Sequence, residues 1–171
     1  MMKPDSPISL RPLLLLPLLA LAVCFAPLAP AADLTITAAS VLGSANATYE
    51  RGTAGATVTA GQVVYKDSAT NTYKLARANA GSTSSPRGIA AHGASSGQPL
   101  SVITSDPGFT IGATSSAGIL LALSSATAGG IAPSGDLTTG GYPFIFGIVL
   151  NGGTTASINF LTPFATGAAL P

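Results

Sequence analysis

The stretch Thr57-Val-Thr-Ala-Gly-Gln-Val-Val-Tyr-Lys-Asp-Ser-Ala-Thr-Asn-Thr-Tyr-Lys-Leu-Ala76 decides the fold class. Its β-branched and aromatic residues fall in two short runs, Gln62 to Lys66 and Tyr73 to Ala76, with the polar segment Asp67 to Thr72 between them. Such runs, separated by turn residues, are the sequence form of an antiparallel hairpin. Ala60-Gly61 supplies a turn ahead of the first arm.

The same grammar recurs on either side. Leu34-Thr-Ile-Thr37 alternates apolar and polar, as an N-terminal strand or arm does. Ile89-Ala-Ala91 and Leu100-Ser-Val-Ile103 flank the loop Gly93 to Pro99, and Phe109-Thr-Ile111 alternates again. Ile119 to Leu123 is a continuous apolar run that suits a strand or a helical turn equally. Phe144 to Leu150 is the most apolar segment, and Ser157-Ile-Asn-Phe-Leu161 reads as the last full strand. Ser105-Asp-Pro-Gly108 and Ser134-Gly-Asp136 carry turn chemistry.

The chain also repeats itself. Ala60, Gly61, Ser68, Ala69 and Thr70 recur as Ala117, Gly118, Ser125, Ala126 and Thr127, at an offset of 57. Gly88-Ile89 and Gly93 recur as Gly147-Ile148 and Gly152, at an offset of 59. Preserved order at a near-constant offset points to a duplicated structural unit. The expected fold is all-β: a small β-barrel or β-sandwich with a pseudo-repeated strand-hairpin unit and extended terminal arms. Its divisions are a leader over 1–31, an arm or strand over 32–49, a β domain over 50–161 and an extended tail over 162–171.

The leader has Lys3 and Arg11, an apolar run from Leu13 to Phe25, and the triplet Ala29-Pro-Ala31. That is the pattern of a secretory signal. A start codon assigned too far upstream produces the same picture, and both readings stand at this point. The apolar run is short of the ~20 residues of a membrane span.

Composition removes several function classes. Charged residues are 8% of the 171-residue chain, against about 25% in an ordinary domain. Beyond the leader the five basic residues are spread from Arg51 to Arg87. They do not form the row that nucleic acid or an anionic membrane requires. The single Cys24 and single His92 exclude a zinc site built from Cys and His.

Gly93-Ala-Ser-Ser-Gly97 has the Gly-x-Ser-x-Gly spacing, with His92 beside it. A nucleophile elbow needs a helix after the turn, and Gln98-Pro-Leu-Ser-Val102 reads as turn and strand. Ser95 and His92 are therefore expected to be loop and strand-end residues. Asp33, Glu50, Asp67, Asp106 and Asp136 form no close pair in sequence, and Glu50-Arg51 reads as an ion pair at the surface. Tyr49, Tyr65, Tyr73 and Tyr142 give weak support for a sugar-stacking platform. No catalytic, cofactor-binding or metal-binding residue is assigned, and the protein is expected not to be an enzyme.

Residues 33–160 resemble the small capsid cement, or head decoration, proteins of tailed bacteriophages. The likeness rests on Ala32-Asp-Leu-Thr-Ile-Thr-Ala-Ala-Ser-Val41, Thr59-Ala-Gly-Gln-Val-Val-Tyr65 and Tyr73-Lys-Leu-Ala76. It continues through Gly88-Ile-Ala-Ala91, Gly97-Gln-Pro-Leu-Ser-Val102, Ser116-Ala-Gly-Ile119, Ser125-Ala-Thr-Ala-Gly-Gly-Ile-Ala-Pro133 and Gly147-Ile-Val149. The resemblance implies a structural virion protein on the capsid exterior, with the major capsid protein as partner and a homo-oligomer, a trimer by preference. It implies no catalysis, cofactor, nucleic acid or membrane. The leader and the tyrosines motivate the alternative, a secreted or periplasmic β-rich adhesin or carbohydrate-binding module.

Overall fold

The computed structural model describes residues 32–83, 85–137 and 140–165, with side chains as far as Phe160. The leader over 1–31 and residues 166–171 of the expected tail lie outside the described residues. Among the described residues nine strands form: β1 (Thr48–Thr53), β2 (Val63–Asp67), β3 (Thr72–Leu75), β4 (Gly88–Ala90), β5 (Pro99–Thr110), β6 (Leu120–Leu123), β7 (Ile131–Pro133), β8 (Phe144–Asn151) and β9 (Ser157–Ala165). The fold is all-β, a curled antiparallel sheet shaped as a half-barrel. Its strand order is β3-β2-β4-β5-β9-β8-β6-β7, with β1 paired beside β5.

The hairpin β2–β3 and the strand pair β4–β5 form where alternation and turn residues expect them. The ambiguous run at Ile119 to Leu123 is strand β6, because both its edges find partners in β7 and β8. Gly61 and Gly118, at φ +86° and +84°, make the turns that lead into β2 and β6. This left-handed conformation is one that glycine adopts without steric cost.

The duplication is present in the ladders, residue for residue. In the first repeat Val63 pairs with Ile89 and Val64 with Gly88; in the second Leu120 pairs with Ile148 and Leu121 with Gly147. Ile89 then pairs with Ile103 and Ala90 with Val102, as Ile148 pairs with Asn159 and Val149 with Ile158. The Gly61 N–H donates to the Ala90 carbonyl at 2.9 Å, and the Gly118 N–H to the Val149 carbonyl at 2.9 Å. Each repeat is a five-stranded sheet, β3-β2-β4-β5-β1 followed by β7-β6-β8-β9-β5. The 12-residue strand β5 belongs to both. Its first half ends the first repeat and its second half opens the next.

That continuity corrects the turn expected at Ser105-Asp-Pro-Gly108. The segment is a bulge within β5, where the register shifts between Asp106 and Phe109. Pro107 lacks an N–H for the ladder and is tolerated where the ladder is already interrupted. Asp106 is wholly buried and accepts bonds from the Ser44 hydroxyl, from the Ser44 N–H at 2.7 Å and from the Gly108 N–H at 2.9 Å. A buried carboxylate holding three donors satisfies itself and pins the N-terminal segment to the bulge.

The expected N-terminal arm is also docked. Leu34 and Ile36 pack against the core and Val41 is buried in it. The Leu34 N–H donates to the Ile131 carbonyl, the Thr37 N–H to the Gly112 carbonyl, and Leu42 bridges to Thr110. At the other end β9 runs to Ala165, past the boundary expected at residue 161.

Two core clusters result. The smaller lies inside the first repeat and includes Val64, Tyr73, Ala90, Leu100 and Val102. The larger joins the inner face of the second repeat (Leu121, Val149 and Ile158 among others) to the outer face of the first, Val63, Ile89 and Ile103. Phe160 sits at its centre, 6.1 Å from Phe109 and 6.0 Å from Phe146 in tilted ring contacts, a separation that favours aromatic pairs. Backbone bonds seal the junction: Val63 N–H to the Gly129 carbonyl, Gly129 N–H to Ala76, and Ala78 N–H to Ser124. The described residues belong to one compact unit, Ala31–Pro171, which contains every member of both clusters.

Candidate functional site

Adjacent residues on a strand point to opposite faces, and this sorts the polar residues of β1. Tyr49 and Arg51 stand on one side, Glu50 and Gly52 on the other. Glu50 therefore pairs with Arg87 at 2.6 Å and Lys66 at 3.1 Å. The expected Glu50–Arg51 ion pair gives way to this one. Below Glu50 lies the buried ring of Tyr73, so close to Gly52 that the glycine has no room for a side chain. The Lys66 ammonium stands over the same ring, 5.6 Å from its centre. The Tyr73 hydroxyl, closed off from solvent, finds no hydrogen bond of good geometry. It lies near enough to Glu50 that the two ionisations oppose each other. The Glu50 carboxyl is held at about 2, first by the Tyr73 hydroxyl and then by Arg87 and Lys66. Burial, and then the Glu50 charge, push the Tyr73 phenol well above its ordinary range.

Asp67 and Asp33 are similarly engaged. Asp67 pairs with Lys74, accepts from the Ala69 N–H at 2.9 Å, and is held at about 2 chiefly by Lys74. Asp33 accepts the hydroxyl of the buried Ser124 at 2.7 Å, whereas Asp136, in the short turn Ser134–Asp136, has its Oδ2 buried without a hydrogen-bond partner. Among the described residues no three His, Cys, Asp or Glu side chains come together as a metal site would need. No described helix is long and apolar enough to cross a membrane.

Ser95 and His92 lie in the β4–β5 connection and are exposed. The His92 Nε2 accepts the Ser101 N–H at 3.1 Å, and Nδ1 lies 2.9 Å from the Gly93 carbonyl. That pair of partners selects the tautomer with the proton on Nδ1 and occupies the lone pair that a general base would use. The Ser95 N–H donates to the Gln98 side chain, Gly97 turns the chain at φ +85°, and strand β5 follows. This is a hairpin turn, without the helix of a nucleophile elbow. Two of the tyrosines are set apart: Tyr73 is in the core, and Tyr49 lines a cleft of about 320 Å³ with Arg51, Ala91, His92 and Ser101.

Large apolar side chains are exposed as well. Leu42 and Tyr49 are exposed at one place, with the Tyr49 hydroxyl lying over Gly43. Ile119, Leu120, Ile148 and Leu150 are exposed at another, on β6, β8 and the turn before β6. Sequence alternation missed the second area, because Leu120-Leu121 and Val63-Val64 are apolar on both faces and give no sign of which face stays uncovered. The charge distribution was the available signal: from Pro107 to Pro171 the one charged residue is Asp136. No protein-family model matches this chain, and comparison with the curated proteins finds no match.

Proposed function

We propose that this protein is a structural adhesive domain of the capsid decoration type, which binds the outer surface of an icosahedral phage shell and stabilises the lattice. One observation carries the reading. A duplicated sheet exposes large apolar side chains in two separate places while Asp33, Glu50, Asp67 and Asp106 are engaged in ion pairs or hydrogen bonds. Contact with a protein surface then desolvates few charges, which is the costly part of forming an interface. Two separate contact areas let one molecule bridge neighbours. Repetition over a lattice multiplies weak contacts through effective concentration, and a ligand that binds only the assembled shell stabilises that state by linkage.

The test is co-sedimentation of the unit Ala31–Pro171, which encloses both cores, with expanded, undecorated shells of the tailed phage that encodes it. Saturable binding and a raised shell melting temperature are expected. Failure to bind those shells overturns the proposal, as does saturable glycan binding in its place, the result an adhesin or carbohydrate-binding module would give.

A further inference from the structure

The duplication supplies its own control for one surface. Across β2, β4 and β5 the outer face of the first repeat carries the row Val63–Ile89–Ile103. These side chains are 0%, 0% and 1% exposed, because the second repeat lies over them. At the same ladder positions the second repeat carries Leu120–Ile148–Asn159 across β6, β8 and β9. Here Leu120 is 47% exposed and Ile148 40%, with Leu150, two residues along β8, at 47% and Ile119 beside them. One face of one design is thus covered in the first repeat and bare in the second.

We infer that the bare face is covered by a second copy of this chain. Three observations favour that occupant. The face is equivalent to one that already forms an interface with a β-repeat of this chain. It also lies in a stretch whose one charged residue is Asp136. Two copies meeting here bring neutral surface to neutral surface, whereas a charged partner would have to shed hydration with no counter-charge to meet it. Finally, the exposed parts of the four apolar side chains amount to about 300 Å², at the size where a patch on a monomer is functional. Asn151 and Asn159, on the same two strands, continue the neutral surface around it.

The inference goes beyond the adhesive reading and is read without any shell present. Sedimentation velocity of the Ala31–Pro171 unit, from roughly 1 to 200 µM, is expected to show concentration-dependent association. Leu120→Lys and Ile148→Lys should each weaken it at least about tenfold, as loss of an interface anchor does, with circular dichroism and melting temperature unchanged. The unit contains no cysteine, so Leu150→Cys offers a second readout that tolerates the fold. Under mild oxidation it should cross-link two copies much faster than a control Asn79→Cys. Wild-type protein that stays monomeric throughout overturns the inference. So do folded Lys variants that associate as before, cross-linking at the control rate, or Lys variants that lose shell binding while the wild type is monomeric. Loss of self-association with shell binding retained supports it and leaves the adhesive reading standing.

Discussion

Substituting Gly88 or Gly147 with alanine tests the duplicated sheet at its tightest point. These glycines occupy the same ladder position in the two repeats, opposite Val64 and Leu121. A methyl group on Gly88 would stand 3.0 Å from the Ile103 carbonyl carbon and closer still to its oxygen; on Gly147 it would stand 2.9 Å from the Asn159 carbonyl carbon and again closer to the oxygen. A carbon–oxygen contact ordinarily sits near 3.3 Å or beyond. The neighbouring strand must therefore retreat by about 1 Å, which carries ladder bonds of ~2.9 Å past the range in which they hold. Overpacking of that kind costs roughly 1–3 kcal/mol, and a lost ladder bond adds about 1 kcal/mol. We expect 2–4 kcal/mol for Gly88→Ala and somewhat more for Gly147→Ala, whose φ of +155° adds backbone strain. For a domain of this length that is a fall in melting temperature of about 10 °C. Gly135→Ala is the control, since nothing lies within 4 Å of a methyl group there, and it should stay within about 0.5 kcal/mol of wild type. Urea and thermal unfolding of the three variants measure the order directly. If Gly88→Ala and Gly147→Ala unfold like Gly135→Ala, the close strand approach argued here is wrong.

Other outcomes follow from the buried polar groups. Asp106→Ala leaves the Ser44 and Gly108 N–H groups without their acceptor and should cost about 2–4 kcal/mol in urea unfolding. Tyr73→Phe removes the hydroxyl that chiefly holds the Glu50 carboxyl down, so the Glu50 pKa followed by NMR should climb from about 2 towards its ordinary 4.5, and the stability that rests on this bond at neutral pH should be lost with it. Glu50 and Asp67 both sit below their ordinary values of 4.5 and 3.8. The stability they contribute is therefore present above those values and lost as pH falls towards 2. The urea midpoint should drop across that window, less so at high salt and less so in Glu50→Gln.

Much of the fold was legible because turns and alternation are local. Ala60-Gly61 and Ala117-Gly118 mark the start of matching strands, and Gly88-Ile89 and Gly147-Ile148 mark the third strand of each repeat. The offsets that align them in sequence, 57 and then 59, are the offsets that align them in the ladders. What was not legible depends on partners far along the chain. Ser-Asp-Pro-Gly is turn chemistry until Ser44, 62 residues away, closes on Asp106 and lets β5 run on through a bulge. The segment Leu34 to Val41 reads as a free arm until the edge of the second repeat offers Ile131 and Gly112 as hydrogen-bond partners. Glu50 is next to Arg51 in sequence, yet the strand turns them apart and hands Glu50 to Lys66 and Arg87.

The two repeats share a backbone plan and have diverged in their surfaces. All the basic residues beyond the leader, Arg51, Lys66, Lys74, Arg77 and Arg87, lie in the first repeat, as do Glu50 and Asp67. Arg77 reaches across to bond the Ser125 carbonyl at 3.0 Å, so even this charge serves the joint between repeats. The first repeat has hidden its apolar outer row beneath the second and shows water a set of paired ions. Among the described residues nothing lies over the second repeat in the same way, and it carries leucine and isoleucine at the row's equivalent positions. A repeat whose outer face is left to solvent ordinarily turns that face polar, since an uncovered apolar face invites association. Only Asn159 has gone that way. Retaining Leu120 and Ile148 beside it makes sense if the series is continued by another molecule.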